Sequence, residues 1–371
     1  MAQQAMRSSA FCFGFCATAS FLVLLGLISY FPQFVQGDDP RNWGYLAPVP
    51  DPLGIAGPIA GTDGSSFLVA GGANFPDAPP WRGGKKVWHD RIYVLSDPDG
   101  KWLDAGKLPQ PIGYAVSISI PDGLGVGPGV ATFGGSDADQ HYAEGWLLRW
   151  RDGRLEQTAL PPMPRPCAQG CGALIGNTIY IAGGIESPDA TVAMHQLWAL
   201  DVDQKPLAWK ELEPWPGPAR MLSVSAVQDG ALYLCSGVEL SAGVDGKPVR
   251  KYLRDAYRYE PTHGWTRIAD LPRAAAAAPS PAPTADPPGF LILGGDDGSR
   301  VDFRPLDQHP GFSRSILAYD ARRDAWDDSG EQPVSHVTTS VVFWRNRYVI
   351  PSGEVRPGVR SPDVISLTFE R

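Results

Sequence analysis

The densest group of chemically capable residues lies near the C-terminus, in Gly353-Glu-Val-Arg-Pro-Gly-Val-Arg-Ser361. One carboxylate, Glu354, and two guanidinium groups, Arg356 and Arg360, share a short turn stiffened by Pro357 and Gly358. A carboxylate beside a fixed cation is suited to proton transfer, because the cation favours its charged form. The same pair is equally suited to pinning the turn as an ion pair, and composition alone leaves both readings standing. Asp296 is a second carboxylate in a comparable place, directly after a glycine pair. Metal chemistry finds no matching pattern, since Cys167, Cys171 and Cys235 have no companion His cluster. These three thiols cannot all pair within the chain. Cys167 and Cys171 read as small residues at a strand entrance, with a bond between them the alternative.

The elements that must position these groups are repeats. An apolar strand ending in small residues recurs as Phe67–Gly72, Val130–Gly135, Ile179–Gly184, Leu232–Gly237, Phe290–Gly295 and Tyr348–Gly353. The spacing, about 50 to 60 residues, is that of a four-stranded propeller blade of Kelch type. Glycine at the end of such a strand permits a sharp exit and close approach of a neighbouring backbone. Most pairs are followed by an aromatic strand and then a Trp: Tyr93 with Trp102, Trp198 with Trp209, Tyr257 with Trp265, Tyr319 with Trp326. These tryptophans are expected to fill space between blades. The final repeat ends at 363–370 without an outer strand, and Asn42-Trp43-Gly44-Tyr45 can supply it. The fold expected is therefore all-β, a six-bladed Kelch-type β-propeller over 38–371 whose last blade is closed by an N-terminal strand.

The long insertions 73–90, 238–254 and 296–314 follow the second strand of their blades and emerge on one face, where function is expected. Residues 1–37 stand apart. No charge occurs between Arg7 and Asp38, and Phe21–Ile28 is a compact apolar core. This reads as a signal peptide, with cleavage near Val35-Gln36-Gly37, or as an uncleaved membrane anchor. Either places the propeller in the periplasm or outside the cell. A formal net charge of −8 without a basic stripe argues against a nucleic-acid partner.

The turn Gly353–Ser361 resembles that of the N-acetylneuraminate epimerases, bacterial sialic-acid mutarotases built on a Kelch propeller. Ala70-Gly-Gly-Ala-Asn-Phe75 and Gly83-Gly-Lys-Lys-Val-Trp-His89 are similar to their long loop, and His309-Pro-Gly-Phe312 to a further motif. In those epimerases the glutamate turn precedes the loop. Here the order is reversed, as in the cyclically permuted mutarotase relatives. The resemblance implies that Glu354 is the proton acceptor and Arg360 the functional arginine of an isomerase acting on the anomers of a sugar acid. Arg360 would then grip the substrate carboxylate or stabilise developing charge. No cofactor or metal is required.

Around that pair, His309 is a candidate for proton return or else a cap on the Pro310-Gly311 bend. Asn74 is a sugar hydrogen-bonding candidate from its loop position. Lys85, Arg314 and Arg356 are candidate assisting cations, each also readable as an ordinary loop charge. The competing function is a non-catalytic glycan- or protein-binding Kelch propeller. Sialidase boxes and a Cys–Tyr–His copper set are not found in the sequence.

Overall fold

The computed structural model describes residues 41–369 apart from Asp245, Asp286 and Pro287. The export segment expected over 1–37 lies outside the described residues. Six four-stranded antiparallel sheets are arranged as the blades of a propeller. Blade 1 comprises Ile59–Thr62, Phe67–Ala70, Arg91–Leu95 and Leu103–Lys107, from axis to rim. Blades 2 to 5 occupy 116–160, 171–212, 224–268 and 284–331 in the same order. Blade 6 takes Val342–Trp344, Arg347–Pro351 and Val364–Phe369 from the C-terminal part and Arg41–Leu46 from the other end of the chain. Trp43 lies opposite Leu367 and Tyr45 opposite Ile365, so the expected donated strand closes the ring.

Strand position explains the burial pattern. The second strands Phe67-Leu-Val-Ala70 of blade 1 and Gly289-Phe-Leu-Ile-Leu293 of blade 5 are buried at every residue. Both of their faces meet a neighbouring blade, so they are apolar throughout and do not alternate. Outer strands such as Trp209–Leu212 are half-exposed and polar. The core is correspondingly a set of wedges between blades. One such wedge joins Val224, Tyr233 and Ala256 of blade 4 to Phe290, Leu317 and Tyr319 of blade 5. Each large apolar side chain buried there contributes on the order of 1.5–3 kcal/mol.

The tryptophans join blades as well as filling space. Trp102 donates its indole N–H to Ala47 O, Trp209 to Pro161 O, Trp265 to Glu213 O and Trp326 to Ala269 O, all at 2.8–3.0 Å. Each acceptor lies just after the outer strand of the preceding blade, which fixes one blade on the next.

The first glycine of a pair sits where the next blade comes closest. A Cβ on Gly183 would lie 2.4 Å from Arg220 O, and its φ is +62°. In blades 4 and 6 this position is Ser236 and Ser352, with φ of 56° and 55°. There the hydroxyl takes over the contact. Ala275 N–H donates to Ser236 Oγ and Ile55 N–H to Ser352 Oγ, both at 2.8 Å. Cys167, Cys171 and Cys235 are free and buried, the first two at the entrance to blade 3 and Cys235 at the end of the second strand of blade 4. Burial pushes the Cys167 and Cys171 thiols up to about 12.

Around the axis, one residue just before each inner strand has left-handed backbone: Gly57, Tyr114, Gln169, Leu222, Ala277 and Thr338. The N–H of each donates to the carbonyl of its counterpart in the preceding blade, at 2.6–3.0 Å, and Gly57 N–H to Thr338 O completes the circuit. A closed collar of six backbone hydrogen bonds thus frames the mouth of the channel. The collar residues line a cavity of about 80 Å³ there. A wider cavity of about 540 Å³, walled by Ile118, Leu174, Val227, Ala282 and Val342, lies further along the inner strands.

Candidate active site

Six equivalent backbone bridges place the residue after each closing glycine beside the collar: Ala56 with Ala73, Gly113 with Ser136, Ala168 with Ile185, Met221 with Val238, Ala276 with Asp296, and Val337 with Glu354. Glu354 is therefore at the rim of the central mouth. Its amide and carbonyl exchange 2.9 Å hydrogen bonds with Val337, the neighbour of collar residue Thr338.

From Glu354 the chain makes a small hairpin, Glu354–Arg356 with Val359–Arg360, in which Glu354 and Arg360 are directly paired. Gly358, at φ +79°, turns the hairpin, and its N–H donates to Glu354 Oε1 at 2.6 Å. Glu354 Oε2 stands 3.7 Å from Arg360 Nη2, an ionic approach too long for a hydrogen bond. One carboxylate oxygen is thereby anchored. The other carries no hydrogen-bond donor among the described residues and remains available to a ligand proton.

Arg360 is held by the loop of blade 1. Its side chain is 3% exposed and its guanidinium lies over the Phe75 ring at 4.7 Å. Pro80 and Trp81 close over Gly358 so tightly that a Cβ there would lie 2.6 Å from Pro80 Cγ. A cavity of about 250 Å³ separates the two loops, lined by Asn74, Phe75, Asp77, Gly358 and Arg360 among others. Arg360 Nε and Nη1 are buried without a hydrogen-bond partner.

The other sequence candidates are distributed less favourably. Asn74 is 1% exposed, and its amide is engaged at both ends: Nδ2 donates to Asp51 and Gly54, and Oδ1 lies 2.9 Å from His89 Nε2. It clamps the base of the blade 1 loop and presents no free donor to a sugar. His309 is 5% exposed, and Gly311 N–H donates to its Nδ1 at 3.0 Å. Burial lowers its pKa, so the ring is a neutral cap on the Pro310-Gly311 bend. Arg314 is drawn to Glu331 at 2.5 Å, at the end of the outer strand of blade 5. Arg356 donates to Asp307 O at 2.8 Å and ties the hairpin to the blade 5 loop. Lys85 is exposed. Asp296 occupies the same register as Glu354 one blade away, but its carboxylate receives the Tyr252 hydroxyl at 2.8 Å and Gly298 N–H at 3.0 Å. Burial, reinforced by Asp296, raises the Tyr252 pKa.

Comparison with known proteins gives a consistent picture. Residues 160–302 match the family model described as NANM, N-acetylneuraminate epimerase. The N-acetylneuraminate epimerase of Haemophilus influenzae (strain PittEE) is 26% identical over 226 residues, 55% of this chain and 57% of the relative. That of Yersinia pestis (strain Pestoides F) is 27% identical over 230 residues, 55% of this chain and 56% of the relative. The chain thus spans a little over half the length of the curated relatives it matches. A solved structure titled "Structure of YjhT" superposes with a TM-score of 0.63 over 87% of this chain and 97% of its own, at 16% identity, a likeness of fold. The family match spans blades 3 and 4 and the first two strands of blade 5, and stops before the Glu354 hairpin.

The six collar residues and the nearby Lys86 escape the sequence reading. Tyr114 and Gln169 belong to the collar, and no local motif marks that position. Lys86, next to the candidate Lys85, lies over the Trp88 ring two residues on, a pairing that no sequence motif marks. As a chemical device, the rim offers a half-anchored carboxylate beside a buried cation, suited to accepting and returning a proton.

Proposed function

We propose that the chain is a mutarotase that interconverts the α and β anomers of N-acetylneuraminate by acid–base ring opening. The observation that carries this reading is Glu354 at the mouth, one oxygen fixed by Gly358 and the other open beside Arg360. The names of the matching relatives support the choice of sugar acid.

In this reading Glu354 Oε2 takes the proton of the anomeric hydroxyl. The electrons of that O–H bond form the C2 carbonyl, and the bond from C2 to the ring oxygen breaks. The ring oxygen leaves with the electron pair and takes up a proton from solvent, while Glu354 holds the proton it accepted and returns it to the C2 oxygen on reclosure. Rotation presents the other face of the ketone, and the reverse sequence recloses the ring. Arg360, buried and stacked, serves as a positioning residue that sets Glu354 and its charge in place. Acid–base assistance of this kind contributes about 100- to 10,000-fold.

The test is anomer exchange followed by NMR from freshly dissolved α-anomer. Wild type is expected to accelerate exchange and Glu354→Gln to lose about 100- to 10,000-fold of the acceleration, with an unchanged thermal transition. Equal rates for the two proteins would remove Glu354 from the chemistry. A wild type without effect would leave a non-catalytic binding propeller.

The apolar segment of residues 10–35 supports work outside the cytoplasm. N-terminal sequencing of the exported protein distinguishes its two forms: a start near Asp38 means cleavage, and a retained leader means an anchor.

A further inference from the structure

We propose that Lys86 is the group that binds the substrate carboxylate and so selects sugar acids over neutral sugars. This rests on the mutarotase reading and assigns a role that reading leaves open. Its ammonium lies 5.3 Å from the Trp88 ring centroid and 5.1 Å from that of Tyr114. Two aromatic faces hold the charge in position without neutralising it. No carboxylate lies within 4 Å of Lys86 among the described residues, and its N–H groups have no hydrogen-bond partner there.

The placement is built into the collar. Tyr114 is the blade 2 collar residue and lines the central cavity. Its ring crosses Gly57, the blade 1 collar residue, so closely that a Cβ on Gly57 would lie 2.5 Å from Tyr114 Cδ1. Gly57 N–H is bonded to Thr338 O, and Thr338 follows the residue paired with Glu354. Lys86 thus approaches the mouth from the blade 1 side, with Glu354 on the adjoining blade. Trp88 packs against Gly113, and its Nε1–H is buried without a partner.

Three other cations on this face, Arg300, Arg314 and Arg356, are hydrogen-bonded, Lys85 is exposed, and Arg360 is enclosed with its Nε and Nη1 unpartnered among the described residues. Arg360 is buried against Phe75 and Glu354. Arg356 is bonded to Asp307 O, Arg300 to Gly311 O and Arg314 to Glu331. A 2-keto sugar acid carries its carboxylate on the anomeric carbon. A base at the hydroxyl on that carbon therefore needs a cation a short distance away, and Lys86 fills that need as a point charge with rotatable donors.

The experiment compares the free acid of N-acetylneuraminate with its methyl ester, which keeps the anomeric centre and masks the charge. Wild type, Lys86→Met and Lys86→Arg are measured for anomer exchange by NMR and for binding by calorimetry. Lys86→Met is expected to raise KM and Kd for the acid by about 10- to 100-fold, the range for a lost hydrogen bond to a charged group. For the ester both should stay within about twofold of wild type, a margin below the effect of one such bond. Lys86→Arg should recover most of the acid affinity. An equal loss for acid and ester, or no loss for either, overturns the proposal. Acid binding that depends on Lys86 in a wild type that accelerates nothing would keep this assignment and defeat the mutarotase reading alone.

Discussion

Glu354 and Arg360 do different work although they face each other across one hairpin. Glu354 keeps an open oxygen, whereas Arg360 is enclosed and stacked on Phe75. Arg360→Lys keeps the charge but loses the flat, stacked guanidinium. It should lower kcat by about tenfold or more while leaving KM nearly unchanged, as expected when an interaction made only in the transition state is disturbed. A rise in KM alone, from steady-state anomer exchange, would show that Arg360 grips substrate after all. His336 offers a separate test. It is 1% exposed, neither ring nitrogen has a partner, and burial pushes its pKa down to about 4, with Asp363 the one charge acting to raise it. The unfolded chain takes up this proton near pH 6.5 and the folded chain only near 4. Stability is therefore full above the unfolded value and falls as pH drops from about 6.5 towards 4, by roughly 3 kcal/mol in total. His336→Leu should flatten that part of the Tm-against-pH curve, and an unchanged slope would remove His336 as the cause. The Glu354–Arg360 pair was legible because both residues sit within one turn. Asn74 misled because what uses up its amide, Asp51, Gly54 and His89, comes from distant sequence.

At the scale of strands and turns the glycine pairs carry the most. Gly183→Ala would set a methyl 2.4 Å from Arg220 O in a left-handed residue. Strain and overpacking together should cost roughly 2–4 kcal/mol, lowering Tm by roughly 3–6 °C in a domain of this size. Gly183→Ser should cost less despite its larger side chain, because Ser236 and Ser352 already bridge this gap with a hydroxyl. A serine variant as damaged as the alanine variant would discredit that explanation. The six apolar runs and their glycine endings were readable from sequence, since backbone crowding restricts residue type there. The collar was not. Tyr114 and Leu222 are poor advertisements for positive φ, and only the meeting of six blades imposes it.

For the molecule as a whole, closure depends on a strand brought from the far end of the chain. Deleting Arg41–Leu46 uncovers the edge of Val364–Phe369 and strips the cover from Trp43's partners in the last wedge. The expected result is a lower Tm and concentration-dependent association through that edge, seen by size-exclusion chromatography. A monomer as stable as the parent would mean that the five complete blades hold the sixth unaided. The donated strand was foreseen from an orphaned final repeat. The blade-to-blade indole bonds were not, because each acceptor is a main-chain oxygen that leaves no mark on residue identity. The collar, finally, separates scaffold from chemistry. Its links run only through peptide groups, so every station except Gly57, where Tyr114 leaves no room for a side chain, is a socket whose fitting can be exchanged. Leu222→Asn would even relax the local backbone. On the mutarotase reading, relettering those five sockets is a route to new ligand preferences on an unaltered frame.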